Sequence, residues 1–370
     1  MKTFKIIILF LFTLFAWSCV SLEKHGTIHH PVTRDGFKLT IEHFPPIAKI
    51  KRNYPVIICH GLLSNRNYWK AKEEQSLVSM LQRAGYDVWL MDLRGRRDAG
   101  DTGWWFGDKT FTYNVDDYVK DDVDTALSFV LKKTGAEKVN WMGHSMGGMV
   151  AYARIGHYKE NRIANLVTYG SPTVFVPLSR VLMTWNNAAP GMIIIPSVPI
   201  KMAAQWGSLA PIFIPSQFRV MLYHPENTGY QMERKLMWFA TNDIAKPEAK
   251  QFLYSLNAGE LVSAGGGFSY FEELPNIKIP VLTIGGRRDH LADPASVRAS
   301  WDKIGSDDKT LMLLERAAGF TDDYGHTDMV MGLHAHKEVH PKVIEWLNKR
   351  DTPPPPVEPE ATEQETTDEP

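Results

Sequence analysis

Cysteine is almost missing from the 370 residues: Cys19 and Cys59 are the only two. Two cysteines cannot build an internal disulfide framework, so a packed core must hold the fold. Excess charge of one sign is missing too. The formal net charge is −1. With the seven acidic groups of the last twenty residues and the two lysines of the first eighteen set aside, residues 19–350 carry +4. That is too weak a positive balance to point to nucleic acid. No internal repeat is evident. The apolar run Ile6–Phe15 is too short to span a bilayer comfortably. The segment Asp351–Pro370 contains no basic residue and little that could be buried. Its Pro, Glu, Asp and Thr predict a disordered acidic tail over 351–370.

What remains is ordinary globular material, 44% hydrophobic and 22% charged. Its length suits one large α/β domain with an insertion, or two modest domains. Lys2 and Lys5, followed by the apolar run, read as a signal peptide over residues 1–18. Ala16-Trp17-Ser18-Cys19 fits an ordinary cleavage site and also resembles a bacterial lipobox with lipidation at Cys19. The lipobox reading is favoured and predicts an exported lipoprotein attached to a membrane; otherwise the chain is periplasmic or secreted. Cys59, inside Val56-Ile57-Ile58-Cys59, is expected to be a small buried core residue.

Short apolar runs alternate with longer helical patterns, which predicts a mostly parallel central sheet with helices on both faces. The expected strands are Phe37–His43, Pro55–His60, Tyr86–Asp92, Lys138–Gly143, Ile163–Gly170, Pro280–Gly286 and Thr310–Glu315. Helices are expected over Val115–Lys133 and His336–Lys349. About a hundred residues rich in Met, Trp, Phe, Pro and Ile lie between Gly170 and Asn276, where a short crossover would suffice. They include Met192–Pro196 and Pro211–Pro215. This segment, 171–275, is expected to be a mainly helical cap, with 19–170 and 276–350 forming the core.

Gly143-His144-Ser145-Met146-Gly147 is a G-x-S-x-G pentapeptide between a strand pattern and a helix pattern. A strand that reverses sharply into a helix holds the residue at the bend in strained backbone and pushes its side chain out. A serine there is a poor nucleophile until a base takes its proton. Gly325-His326-Thr327-Asp328 follows the last strand, which makes His326 the candidate base. His334, His336 and His340 are rivals by type but lie in or beside a helical stretch. Asp289, in the turn after Val281–Gly286, is the candidate acid that fixes the imidazole. Asp293 is its rival, with helix capping at Pro294 as its alternative role. The backbone N–H groups of Met146 and of Leu62, in His60-Gly61-Leu62-Leu63, are the expected oxyanion-hole donors. His60 and His144 are expected to be structural. The cluster Arg94–Asp98 with Trp104–Phe106 either borders the pocket or forms a solvated loop paired with Asp98, Asp101 and Asp108.

The order Ser145, Asp289, His326 together with the His60-Gly61 loop resembles the α/β-hydrolase superfamily over about residues 28–349. Within it the acid-lipase group (gastric and lysosomal lipases) is the nearest likeness. It is carried by Thr33–Phe37, His60–Leu63, Ala84–Leu90, Arg94-Gly95, Phe111–Asn114, Gly143–Gly147 and His326–Asp328. That resemblance implies an α/β-hydrolase fold with the cap between the sixth and seventh strands. It also implies a serine esterase or lipase that cleaves esters with an apolar acyl group and needs no metal or organic cofactor. Gly147-Gly148 departs from the usual Gly-Thr, and the paired cysteines of the secreted animal enzymes are absent. The block Gly325–Val330 also resembles bacterial polyester synthases, which use cysteine where this chain has Ser145. Two alternatives stand beside ester hydrolysis: an acyltransferase using the same triad, and a catalytically silent lipid-binding protein on the same scaffold. The expected partner is a small-molecule or lipid ester, with no nucleic acid.

Overall fold

The computed structural model describes residues 25–96, 99, 111–175, 197–198, 200–209 and 216–351. Their main feature is a sheet of eight strands: β1 Thr27–His29, β2 Thr40–Phe44, β3 Val56–Cys59, β4 Val88–Asp92, β5 Val139–His144, β6 Ile163–Tyr169, β7 Val281–Gly286 and β8 Lys309–Leu314. Their spatial order is β1-β2-β4-β3-β5-β6-β7-β8. Strands β3 to β8 pair in parallel, and β1 and β2 add antiparallel at one edge. The strand β3 is wholly buried, as expected for a parallel strand covered on both faces.

Alternation along the strands splits the core in two. Ile57, Cys59, Trp141, Leu166 and Val281 join one apolar cluster. Val56, Ile58, Met142, Val167 and Leu282 join the other. Each fully buried aliphatic side chain contributes about 1.5–3 kcal/mol, so both sheet faces are held strongly. Cys59 is a buried free thiol whose pKa burial pushes up, in keeping with a core role.

On the first face lie α2, made of Val115–Asp117, a π turn Tyr118–Asp122 and Val123–Thr134, and α3, Met146–Tyr158. Asn114 and Asp117 form a capping box that starts α2, and Gly135 at φ 72° ends it. The other face carries α1, Leu77–Arg83, and α9, His340–Asn348. The closing helix expected over 336–349 is broken: Ala335–Glu338 is a separate turn, and α9 restarts with Pro341 in its first turn. Near the start of the chain, Thr33–Phe37 closes a turn through Thr33 N to Phe37 O at 2.8 Å, with Gly36 at φ 90°. This turn delays β2 to Thr40. The edge strand β1 has no apolar alternation, which is why the sequence does not announce it.

Between β6 and β7 the chain inserts α4 Ile200–Leu209, α5 Ser216–Leu222, α6 Tyr230–Phe239 and α7 Lys246–Ala258. A two-residue ladder joins Ser197–Val198 to Ile244–Ala245. The apolar stretches Met192–Pro196 and Pro211–Pro215, the leader 1–18 and Cys19 lie outside the described residues. No described helix is long and apolar enough to cross a membrane. Asp351, assigned from sequence to the acidic tail, belongs to the folded body. It is buried, and its carboxylate accepts from Asn53 N, Tyr54 N and Asn140 Nδ2 at 2.9–3.2 Å.

Candidate active site

Ser145 sits where β5 turns into α3, with φ 53° and ψ −121°. Its amide donates to Tyr169 O at 2.7 Å, which fastens the bend to the end of β6. The flanking glycines are dictated by backbone approach. A Cβ on Gly143 would lie 2.3 Å from the Gly147 carbonyl carbon, and one on Gly147 would lie 2.5 Å from Cys59 O and 2.6 Å from His60 O. The bend therefore rests directly on the loop after β3. Gly61 in that loop also packs tightly, with a Cβ position 3.1 Å from Ser145 Cβ. Met146 is the first residue of α3, so its amide has no acceptor within the helix. Leu62 follows Gly61, and its carbonyl is held by Arg96 Nη2 at 3.0 Å.

The two histidines beside the bend are neutral and structural. His60 donates through Nδ1 to Gly61 O at 2.8 Å and accepts from Leu93 N at Nε2 at 3.2 Å. Burial pulls its pKa down to about 3. His144 donates from Nε2 to His326 O at 2.9 Å, and burial holds it well below the ordinary value.

Asp289 ends the turn after β7. Its Oδ1 accepts from Leu291 N at 2.9 Å and Ala292 N at 2.7 Å. Its Oδ2 accepts from His326 Nδ1 at 2.7 Å, with both side chains buried. A proton on Nδ1 leaves Nε2 as the basic nitrogen of the neutral ring. Asp293 instead accepts from Ala295 N at 2.8 Å, at the start of α8, Pro294–Lys303. Among the described residues, His334, His336 and His340 make no such pair with an aspartate.

Gly170, at φ 53°, joins the two halves. A Cβ there would lie 3.0 Å from Asp289 Oδ2 and 3.1 Å from His326 Nδ1, while its neighbour Tyr169 accepts the Ser145 amide. The structure thus pairs Asp289 with His326 and sets Ser145 and Met146 against the Gly61-Leu62 loop, with both groups at the carboxyl ends of the parallel strands, where α/β sheets place their sites. The role of Gly170 was not visible from sequence; only its position at a strand end was.

Arg94 and Arg96 are not on a solvated loop. Arg94 is buried against Asp122 and Asp35, with Nε to Asp122 Oδ1 at 2.7 Å and Nη1 to Asp35 Oδ2 at 2.6 Å. Arg96 is buried and pairs with Glu248 of α7 at 2.5 Å. All three partners are distant in sequence, so the solvated-loop alternative fails for Arg94 and Arg96. Trp104–Phe106, with Asp98, Asp101 and Asp108, lies outside the described residues. Among the described residues no cluster of three or more His, Cys, Asp or Glu side chains could hold a metal ion.

Strand order, strand–Ser–helix bend and acid–histidine pair together define an α/β-hydrolase-fold protein. Residues 54–193 match the family model described as alpha/beta hydrolase fold. The chain is 25% identical over 356 residues to Lipase 3 of Drosophila melanogaster, covering 86% of this chain and 89% of that one. It is 32% identical over 128 residues to gastric triacylglycerol lipase of Rattus norvegicus, 33% of this chain and 32% of that one. It is 23% identical over 353 residues to the poly(3-hydroxyalkanoate) polymerase subunit PhaC of Haloferax mediterranei, covering 90% of this chain and 66% of that longer one. Among solved structures, the monoacylglycerol lipase of Paleococcus ferrophilus superposes with a TM-score of 0.57 at 17% identity, over 84% of this chain and 99% of that one. The chain has the α/β-hydrolase fold, and its sequence is similar to lipases.

Proposed function

We propose that the protein is a serine carboxylic-ester hydrolase acting on esters with an apolar acyl group. One observation carries this reading: a buried Asp289–His326 pair at 2.7 Å, joined through Tyr169-Gly170 to a serine held at φ 53°. Ser145 Oγ attacks the ester carbonyl while His326 takes its proton at Nε2. Asp289 holds the imidazole by Nδ1 and stabilises the imidazolium. The amides of Met146 and Leu62 receive the developing oxyanion. His326 then protonates the leaving alcohol, and water, activated by the same imidazole, releases the acid from the acyl-enzyme. The lipase relatives support an ester substrate, and the apolar content of residues 171–275 supports an apolar acyl group.

The test is Ser145→Ala. Hydrolysis of p-nitrophenyl esters and labelling by a fluorophosphonate probe should both disappear, and labelling that survives overturns the assignment. Activity should also hold as the acyl chain lengthens; a sharp preference for acetyl esters counts against the apolar acyl group.

The likeness to a polymerase subunit across most of this chain favours one second reading, acyl transfer to an alcohol through the same acyl-enzyme. Product analysis with competing alcohols separates the two. For location, the reading is an exported lipoprotein processed at Cys19. Processing should be sensitive to globomycin, and insensitivity would replace lipidation with ordinary cleavage.

A further inference from the structure

The loop carrying His326 is not held by its own strand alone. Asp328, two residues on, is buried, and among the described residues every hydrogen bond its carboxylate accepts comes from an N–H. Oδ1 accepts from Gly325 N at 3.0 Å and from His224 N at 3.0 Å. Oδ2 accepts from Gly325 N at 2.9 Å and from Asn227 Nδ2 at 2.9 Å. Gly325 belongs to the histidine loop; His224 and Asn227 belong to the insertion between β6 and β7. A Cβ on Gly325 would lie 2.7 Å from His224 N and 2.8 Å from Asp328 Oδ1, so only glycine permits this approach. Around the carboxylate the same two segments exchange backbone bonds: Thr327 N to Leu222 O at 2.9 Å and Leu333 N to Asn227 O at 2.6 Å. Arg288, next to Asp289, also contacts the His224 ring through Nη1 and Nε2.

We propose that Asp328 is a positioning residue that couples the docked insertion to His326, so that the insertion sets the place of the catalytic base. This rests on the serine-hydrolase reading above. His326 reaches its reacting partners only through Nε2, and an error of about 1 Å at such a group can cost about 100-fold in rate. The carboxylate is suited to the task because its two oxygens take donors from both segments at once. An amide at 328 keeps one acceptor and turns an N–H toward a donor, which pushes the segments apart without removing any reacting group.

The experiment compares wild type, D328N, N227A and the double variant, with kcat and KM on a p-nitrophenyl ester normalised to fluorophosphonate-labelled sites. Melting temperature is followed in parallel. Among the described residues, Asn227 makes no side-chain hydrogen bond except that to Asp328, so N227A loosens the insertion side alone. For D328N, kcat per labelled site should fall at least about tenfold while KM stays within about twofold. N227A should lower kcat about threefold, and the double variant should be no slower than D328N, because the two share one contact. Should D328N not fold, N227A decides. An unchanged kcat per labelled site, with only the melting temperature lowered, overturns the positioning role and leaves the hydrolase reading intact. Absence of labelling at Ser145 in the wild type overturns both.

Discussion

Holding Ser145 at φ 53° costs on the order of 1–3 kcal/mol, and it persists because its surroundings over-determine it. The Ser145 amide is bonded to Tyr169 O, and its carbonyl accepts from Gly148 N at 3.0 Å and Met149 N at 3.1 Å. Gly147 tests that picture. The atoms a Cβ would meet, Cys59 O and His60 O, are backbone, so no side chain can swing aside. G147A should therefore cost about 1–3 kcal/mol. Because the strain falls on the loop that carries Leu62, fluorophosphonate labelling of Ser145 should also slow by at least about tenfold. Gly265, which has no neighbour within 4 Å of its Cβ position, provides the control: G265A should change neither the melting temperature nor the labelling rate. The bend at Ser145 was legible in the sequence because its reason is local, five residues between a strand and a helix. The separation of Asp289 from Asp293 was legible for the same reason, since Asp293 is placed to cap the helix that begins at Pro294.

Between elements, the coupling runs through buried charge. Arg96 follows β4, holds Leu62 O, and pairs with Glu248 on α7. Burial pushes the Glu248 carboxyl up, against the pull of Arg96. Breaking such a pair from one side leaves an uncompensated charge and costs about 3–5 kcal/mol. E248Q should thus be strongly destabilised, by chemical unfolding monitored through tryptophan fluorescence. R96M/E248L, which removes both charges, should recover most of that stability. Its kcat should remain low, since Leu62 O has lost its donor; full recovery of kcat would show that Arg96 does not support the oxyanion loop. This network was illegible in the sequence for a physical reason. Arg94-Gly95-Arg96 is plainly visible, but Asp122 lies 28 positions away and Glu248 lies 152 away. A charged run with local carboxylates looks the same whether it is solvated or buried. The strands fared better: a run such as Val56–Cys59, apolar on both faces, announces a central parallel strand. Thr27–His29, an edge strand with two exposed residues, announces nothing.

Across the whole molecule, burial keeps three histidines neutral: His60 and His340 with pKa values of about 3, and His144 well below the ordinary 6.5. The unfolded chain binds a proton at each of these as pH falls through 6.5, while the folded chain does so only at much lower pH, near 3 for His60 and His340. Each histidine therefore contributes stability that is present above 6.5 and lost progressively as pH falls below it, down to about 3 for His60 and His340. Buried carboxylates such as Asp122 and Asp328, pushed up by burial, act with the opposite sign, so the total curve is a balance of the two sets. A difference between variants isolates one proton. His340 is the histidine to choose, because it lies at the start of α9 and outside the candidate site. H340Q cannot take up a proton in either state. Its stability relative to wild type should therefore rise by about 1.4 kcal/mol for each pH unit between 6.0 and 4.0 and level off above 7. Urea unfolding of both proteins at four or five pH values measures this directly. A difference that stays constant across that range would mean that His340 is protonated in the folded protein as easily as in the unfolded chain, and that burial does not hold it neutral.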